Sequence, residues 1–306
     1  TEEKSMEFIK PGTHFDFVGK MKIAAGISAA LIIVSILSVI LHGGLNFGID
    51  FAGGTVIQIK FSKVAPADAI RKAFNGINVE DAVTQEIGAN EVIVRTNQSM
   101  TKELQAKVEQ AMTGQFGAGQ YEIRRIEFVG PKVGKDLTQK AILAIIFSWI
   151  GMLIYIAWRF EFRYGLGGII ALVHDTIITI GALSLLNKEF TLTIVAALLT
   201  IIGYSINDTI VVFDRIRENR KKDIKRSLGD IINASVNETL SRTILTSFTV
   251  FLVLLALFFL GGPVIHDFAF ALLVGVVIGT YSSIFIASPI VLVFENLQIS
   301  KGKRKK

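Results

Sequence analysis

The chain of 306 residues contains no cysteine, and this absence removes a whole class of chemistry. Disulfides, thiolate metal sites and cysteine nucleophiles are excluded, while the redox compartment stays open. The sequence also lacks the G-x-x-x-x-G-K-[S/T] loop of nucleotide-binding proteins, the H-E-x-x-H pair of zinc peptidases and the G-x-S-x-G turn of hydrolases. We therefore predict a protein that is not an enzyme and that needs no metal or other cofactor, so any work it does draws on a proton gradient or a partner.

Charged residues are scarce and apolar residues abundant. Hydrophobic residues make up 51% of the chain and the mean hydropathy is +0.53, which is too apolar for a soluble domain. A membrane helix needs about 20 apolar residues, and enough segments qualify to predict a polytopic α-helical membrane protein with six spans. The first span is not a signal peptide, because its apolar core is too long and no A-x-A-like site follows. The predicted spans are 22–41, 139–158, 165–186, 191–213, 242–260 and 268–294.

The basic residues are distributed by membrane side. Lysine and arginine gather before the first span, between the second and third, after the fourth and at the C-terminus, whereas the short loops on the other side carry almost none, Lys188 excepted. The positive-inside rule then predicts that both termini are cytoplasmic, with a segment 1–21, a loop 214–241 and a basic tail 295–306 on that side. Because membrane orientation accounts for where the basic residues lie, the net charge of +6 is not evidence for nucleic-acid binding.

A soluble insert separates the first two spans. Residues 42–138 show strand and helix patterns in the order βαββαβ, the ferredoxin-like arrangement, and the topology places this α+β domain in the periplasm. The link 130–134 contains Pro131 and two glycines, which allow a bend into the second span. The predicted elements are strand 54–61, helix 66–74, strand 79–87, a hairpin at 88–90, strand 91–96, helix 101–113 and strand 121–129.

The segment 228–240 precedes the fifth span and has Ile232, Val236 and Leu240 four residues apart. This spacing predicts a helix. It is either an amphipathic helix at the membrane surface or a helix packed within the cytoplasmic loop.

Asp208 lies inside the fourth span. A carboxylate at that depth costs about 3 kcal/mol by insertion scales and by default marks a pathway for ions or protons. We expect Tyr204 and Asn207 to support a proton-responsive carboxylate at Asp208. The alternative is a polar cluster that only joins helices, which we rank lower because hydroxyls and amides suffice for that purpose. A polar stripe recurs at three- and four-residue spacing along this span and is expected to share one face; it consists of Thr200, Gly203, Tyr204, Asn207 and Asp208.

Arg242 opens the fifth span. A guanidinium near the membrane edge can extend into the headgroups. Alternatively, it pairs with an ionised carboxylate on the fourth span and is released when that carboxylate takes a proton. The sequence leaves both interpretations open.

His174 and Asp175 lie near the middle of the third span. Histidine titrates near neutrality, so this pair is a secondary candidate for proton handling. Adjacent side chains on a helix point about 100° apart, so the two need not touch. A structural pair facing the bundle is an equal alternative.

A charged group ends the fourth span at Asp214, Arg215, Arg217 and Glu218. We predict a solvated helix end with i,i+4 ion pairs, which serves topology and partner contact before chemistry. Asp214 is kept as a further secondary candidate.

Two glycine-containing motifs are predicted to be structural. The sixth span repeats a small residue every fourth position, which lets two helices approach closely and would also allow them to slide. After the first span, Asp50 is followed by Gly53 and Gly54, which permit a bulge or a tight bend at the entry to the sheet. The repeat consists of Ala271, Gly275, Gly279, Ser283 and Ala287.

The combination of these motifs resembles the SecF family. The segment GYSINDTIVVFDRIREN at 203–219 looks like the signature of the fourth helix in that family. The resemblance involves all six spans and the insert. It extends to residues 50–54, 173–175, 241–247, 261–263 and 275–283.

The resemblance implies a fold related to the RND transporters and a place in the SecD–SecF complex of bacterial protein export. It implies SecD, the SecYEG channel, YajC and unfolded preprotein as partners in the cytoplasmic membrane. It also implies that the proton gradient promotes late steps of export. The carboxylate and arginine linked to proton transport in the family fall on Asp208 and Arg242, and a further essential carboxylate belongs to SecD.

We therefore expect Asp208 to gain and lose a proton as protons cross the membrane, each supplying about 2.3 kcal/mol per 100 mV, and to move the outer domain through the link 130–134. Three alternatives remain. They are a stand-alone RND-like exporter, a non-catalytic scaffold and an intramembrane aspartyl protease using Asp175 and Asp208. The protease ranks last because Ser205-Ile206-Asn207, and not G-x-G, precedes Asp208.

Overall fold

A computed structural model of the protein describes residues 14–64, 67–79, 81–87 and 90–304, with the backbone alone at 263–264, 296 and 298–304. Predictions about residues 1–13, the hairpin residues 88–89 and the last two residues of the basic tail lie outside this part. The chain forms two units. One comprises Phe47–Ile142 with Glu189–Leu192. The other comprises the residues up to Asn46, Leu143–Lys188 and the residues from Thr193 onward.

The elements follow one another as α1 (Met21–Leu41), α2 (Ile49–Ala52), β1 (Gly54–Phe61), α3 (Ala67–Asn75), β2 (Val83–Glu86), β3 (Glu91–Thr96), α4 (Lys102–Phe116), β4 (Tyr121–Val129), α5 (Pro131–Arg159), α6 (Phe162–Leu185), α7 (Leu192–Lys222), α8 (Leu228–Leu260), α9 (Pro263–Ser282), a π-helical segment (Ser283–Ala287) and α10 (Ser288–Arg304). Within the described residues, six helices are long and apolar enough to cross a membrane, which confirms the predicted number. They are α1, α5, α6, α7, α8 and the last span, which runs from α9 into α10.

The insert folds as the sequence predicted, around one sheet. Its four strands have the order β2-β3-β1-β4 and every pairing is antiparallel, as the βαββαβ arrangement requires. Ile57 and Ile59 of β1 alternate with outward residues and pack with Phe74 of α3 and Met112 of α4, so both helices cover one face of the sheet. The second strand is shorter than predicted, since only Val83–Glu86 pairs with β3.

The link before the second span is helical from Pro131 onward. Pro131 is the first residue of α5, where its fixed φ suits a helix and its missing N–H is not needed. Gly134 lies in the same unbroken helix, and a Cβ there would come within 2.8 Å of the Phe51 carbonyl oxygen. The glycine therefore serves a close approach of two backbone segments, and α5 begins eight residues before the predicted start at 139.

The predicted cytoplasmic loop 214–241 is mostly helical. The α7 helix continues to Lys222 and α8 begins at Leu228, so only five residues, 223–227, connect them. The helix predicted at 228–240 is the first part of α8, and Ile232, Val236 and Leu240 are buried in the core of the bundle. It is therefore neither a surface helix nor a separate loop helix, because its apolar face continues the packing surface of the fifth span.

The bundle is built around α6, α7 and the last span. Each of these buries more than half of its central residues within the chain, whereas α1, α5 and α8 bury less than a quarter. The small residues of the last span pack against α7. A Cβ on Gly275 would lie 2.3 Å from the Ile201 side chain, and one on Gly279 would lie 2.9 Å from Ser205 Cβ. The repeat thus brings the last span close to the helix that carries Asp208.

Candidate functional site

Asp208 faces the interior of the bundle, with 3% of its surface exposed. Ser247 Oγ on α8 donates a hydrogen bond to Asp208 Oδ2 over 3.2 Å. Thr280 Oγ1 on α9 in turn donates to Ser247 Oγ over 2.7 Å. Two hydroxyls in series, one on α9 and one on α8, therefore lead to the buried carboxylate on α7. We call these two hydroxyls the hydroxyl line. Neither hydroxyl was singled out from the sequence, because serine and threonine are common in membrane spans.

Two buried hydroxyls near this line have no hydrogen-bond partner within the described part of the chain. Tyr204 Oη belongs to the residue one turn before Asp208, and Thr243 Oγ1 to the residue one turn before Ser247. Both hydroxyls therefore belong to the two helices that meet at Asp208. Buried polar groups are nearly always paired in native proteins, so these two are candidates for exchangeable partners such as water.

Asn207 does not support Asp208 in this structure. Its side chain is exposed, as are Thr200 and Gly203, so most of the predicted polar stripe faces away from the chain's own core. No hydrogen bond joins Asn207 to Asp208 among the described residues. Neighbouring helical positions differ by about 100°, which turns Asn207 outward when Asp208 points inward.

Arg242 is also exposed. Across the residues whose placement is described, it has no carboxylate within the 4.0 Å that defines an ion pair, so the pairing with Asp208 is not formed in this conformation. The exposure agrees with the alternative in which the guanidinium reaches outward. Thr246 and Thr249, on the same helix, are exposed as well.

His174 and Asp175 touch, a contact that the sequence had left open. His174 Nδ1 lies 2.9 Å from Asp175 Oδ1, and both residues are buried. Ser205 on α7 and Ser282 on α9 donate to Asp175 Oδ2 over 2.6 and 2.7 Å. His174 Nε2 lies 3.1 Å from Ser28 Oγ on α1. The secondary candidates thus form the centre of a polar network that spans four helices.

The two buried carboxylates are connected through α7. Ser205, which binds Asp175, precedes Asp208 on that helix by less than one turn. The carboxylates have different hydrogen-bond partners and do not form the shared pair that an aspartyl protease would need. A rotation or shift of α7 would therefore change the surroundings of both.

The charged group at the end of α7 pairs differently from the i,i+4 prediction. Asp214 pairs with Arg159 of α5 at 3.2 Å. Arg215 pairs with Glu218 at i,i+3 and with Glu238 of α8. The Arg159–Asp214 pair joins α5 to α7, and the Arg215–Glu238 pair joins α7 to the part of α8 that precedes the predicted span boundary at 242.

In the α+β unit, the glycines of the Asp50 motif lie at a close approach of the backbone. Gly53 and Gly54 have φ of 77° and 111°, which favour glycine, and a Cβ on Gly54 would lie 2.6 Å from the Thr96 carbonyl oxygen. Asp50 Oδ2 also accepts a hydrogen bond from the backbone N–H of Leu192 over 2.8 Å. That bond caps the first residue of α7, and nothing in the local sequence indicated it.

Comparison with known proteins identifies the family. Residues 107–297 match the family model of the protein export membrane protein SecD/SecF, C-terminal, and residues 38–63 match the SecD/SecF GG motif. SecF translocase subunits are similar over nearly the whole chain. The one from Magnetococcus marinus is 49% identical, covering 98% of this chain and 97% of its own length. The one from Rickettsia prowazekii is 38% identical, covering 97% and 96%.

Solved structures agree with this assignment. The crystal structure of SecDF from Thermus thermophilus, a translocon-associated membrane protein, superposes with a TM-score of 0.83 at 35% identity, covering 93% of this chain. A SecDF structure in the super-membrane-facing form gives a TM-score of 0.70 at the same identity. This chain spans 39% and 41% of those two chains. By sequence and by fold, the chain belongs to the SecF family of protein translocase subunits.

Proposed function

We propose that this protein is an accessory subunit of the Sec translocase that joins a SecD-type partner in the bacterial cytoplasmic membrane and uses the proton gradient to promote late steps of protein export. The observation that carries the proposal is the burial of Asp208 at the end of a hydroxyl line from α9 through α8. A buried carboxylate inside a membrane bundle is costly unless it serves a pathway.

The exposed polar face of the bundle supports the partner. Asn207 of α7 and Arg242 of α8 are exposed on helices that are otherwise apolar. Placing these polar side chains against lipid costs free energy. A second membrane protein with polar helices is therefore the expected neighbour. This chain covers 39% of the length of the SecDF chain from Thermus thermophilus. We propose that a SecD-type partner, corresponding to the rest of that chain, supplies such helices.

Proton coupling follows from the two states of Asp208. When ionised, the carboxylate accepts from Ser247 and attracts a guanidinium; when protonated, it becomes a donor and loses that attraction. Rearrangement of Arg242 between an outward and a paired position would then accompany each proton. The unpaired hydroxyls of Tyr204 and Thr243, on the two helices that meet at Asp208, are the polar groups through which we propose that protons enter and leave.

Coupling to the outer domain is proposed to run through Asp50. Residues 131–134 of the link form the first turn of α5. Asp50 holds the first residue of α7, the helix on which Asp208 lies. A displacement of α7 driven at Asp208 would be transmitted to the Asp50 motif, and from there to a domain that contacts emerging preprotein. SecYEG and YajC are further proposed partners, and the support for them is membership of the SecF family.

The test is Asp208→Asn in the complete complex, reconstituted in vesicles with an imposed proton gradient. The expected result is loss of the gradient-dependent part of export, with normal protein levels and unchanged export in the absence of a gradient. Asp223→Asn, which removes an exposed carboxylate just after α7, is the matched control and should behave as wild type. If Asp208→Asn showed gradient-dependent export at the wild-type rate, proton coupling at Asp208 would be rejected and the non-catalytic scaffold would be the remaining interpretation. Proton-driven export of small molecules by this chain without SecD would favour the stand-alone exporter.

A further inference from the structure

A cavity of about 370 Å³ lies where α5 ends, α6 begins and α7 ends. Phe160 and Tyr164 form an aromatic side of the cavity, and Arg217, Arg220 and Lys221 form a cationic side. The rings are fixed by packing, since Tyr164 contacts Phe160 and the buried Phe213 with ring centroids 5.8 and 5.0 Å apart. The proposed proton pathway makes no use of this site.

The charges of this cavity are not balanced within the described chain. Its acid, Glu161, accepts a hydrogen bond from Arg163 Nε over 3.1 Å, and Arg220 is paired with Glu295 at 3.0 Å. Arg217 and Lys221 have no acidic partner within 4.0 Å among the residues described. Arg217 instead donates to the backbone oxygen of Arg159 over 3.4 Å. Two positive charges therefore face the cavity without compensation.

The mouth of the cavity lies at the level where a spanning helix leaves the membrane. Trp158 next to the end of α5 is 84% exposed, Phe162 at the start of α6 is 61% exposed, and Ile224 is 87% exposed. An exposed tryptophan at the end of an apolar span is typical of the membrane–water interface. Cationic side chains thus meet apolar side chains at the depth of lipid headgroups.

We propose that this cavity binds the phosphate of an anionic phospholipid in the cytoplasmic leaflet. Arg217 and Lys221 are the direct phosphate contacts, and Arg220, oriented by Glu295, forms the wall beside them. The acyl chains lie along Trp158 and Phe162. Basic pockets at the cytoplasmic ends of membrane helices bind such headgroups, because the lipid supplies the missing negative charge and the apolar side chains match its tails.

The experiment is native mass spectrometry of the full chain in detergent, titrated with phosphatidylglycerol, phosphatidylcholine or glycerol phosphate. We expect phosphatidylglycerol to bind in preference to phosphatidylcholine. The double substitution Arg217→Gln with Lys221→Gln should weaken phosphatidylglycerol binding about tenfold or more. The control, Lys222→Gln with Lys225→Gln, removes the same charge from the same region outside the cavity and should bind as wild type.

A charge-conserving pair, Arg217→Lys with Lys221→Arg, should retain binding and thereby excludes a folding defect as the cause of the loss. Equal weakening by the cavity pair and the control pair would show a diffuse charge effect and would overturn the proposal. Binding of glycerol phosphate as tightly as the lipid, with the same dependence on Arg217 and Lys221, would also overturn it, because the site would then serve a soluble phosphate.

Discussion

Ser247 on α8 donates its hydroxyl to the carboxylate of Asp208 on α7 over 3.2 Å, and no other side chain of the described part of the protein donates to that carboxylate. The bond connects the acid to a helix that also carries Arg242, five residues earlier. The local chemistry of Asp208 therefore depends on how α8 is positioned against α7.

Ser247→Ala should reduce gradient-dependent export to a level between wild type and Asp208→Asn. The carboxylate loses its donor, and Thr280 loses one acceptor while keeping the Val276 carbonyl. The stability loss should be about 0.6 kcal/mol, the average for such bonds in membrane bundles. Ser247→Thr keeps a hydroxyl and should retain most of the activity. If both substitutions behaved alike, the hydroxyl would have no part in the relay.

Gly275→Ala should destabilise the bundle by about 1–3 kcal/mol, because the new methyl group would overlap the Ile201 side chain at 2.3 Å. Gly151→Ala on α5 is the matched control, since no atom lies within 4 Å of its Cβ position. Alanine there should be neutral or stabilising by up to about 1 kcal/mol. Thermal unfolding of both variants in detergent measures the difference. Equal unfolding temperatures would contradict the close packing of α9 on α7.

Asp50→Ala should separate proton movement from export. It removes the cap on Leu192 at the start of α7, worth about 1 kcal/mol, and leaves the surroundings of Asp208 unchanged. In vesicles of the complete complex we expect proton flux to persist while gradient-dependent export falls. Asp50→Asn keeps an oxygen acceptor and should be milder. Parallel loss of flux and export, or no loss of either, would be inconsistent with coupling through this bond.

Glu103→Gln should loosen α4 in a pH-dependent manner. The hydrogen bond from Lys107, together with its charge, holds the pKa of Glu103 below its ordinary value of 4.5. A depressed pKa means that the ionised pair stabilises the fold above that value and that the contribution is lost as the pH falls through the folded-state pKa. Hydrogen exchange of the α4 peptide should therefore be faster in the variant near neutral pH and equal to wild type in acid. Glu109→Gln, which removes a carboxylate of α4 without a lysine partner, is the control.

The sequence by itself determined the six spans, the βαββαβ order and the position of Asp208 inside the fourth span. These features depend on local quantities, namely apolar length, the period of the strands and helices, and the cost of a carboxylate in lipid. The tight bend at Gly53 and Gly54 could also be read locally, because only glycine adopts such φ values freely.

Only the tertiary structure decided which side chains meet. The contact of Ser205 and Ser282 with Asp175, the outward position of Asn207 and Arg242, and the cap from Asp50 to Leu192 all depend on the rotation and offset of one helix against another. The early start of α8 has the same cause. Its polar first turns are helical because Ile232, Val236 and Leu240 pack on the bundle, and that surface becomes visible only once the other helices are in place.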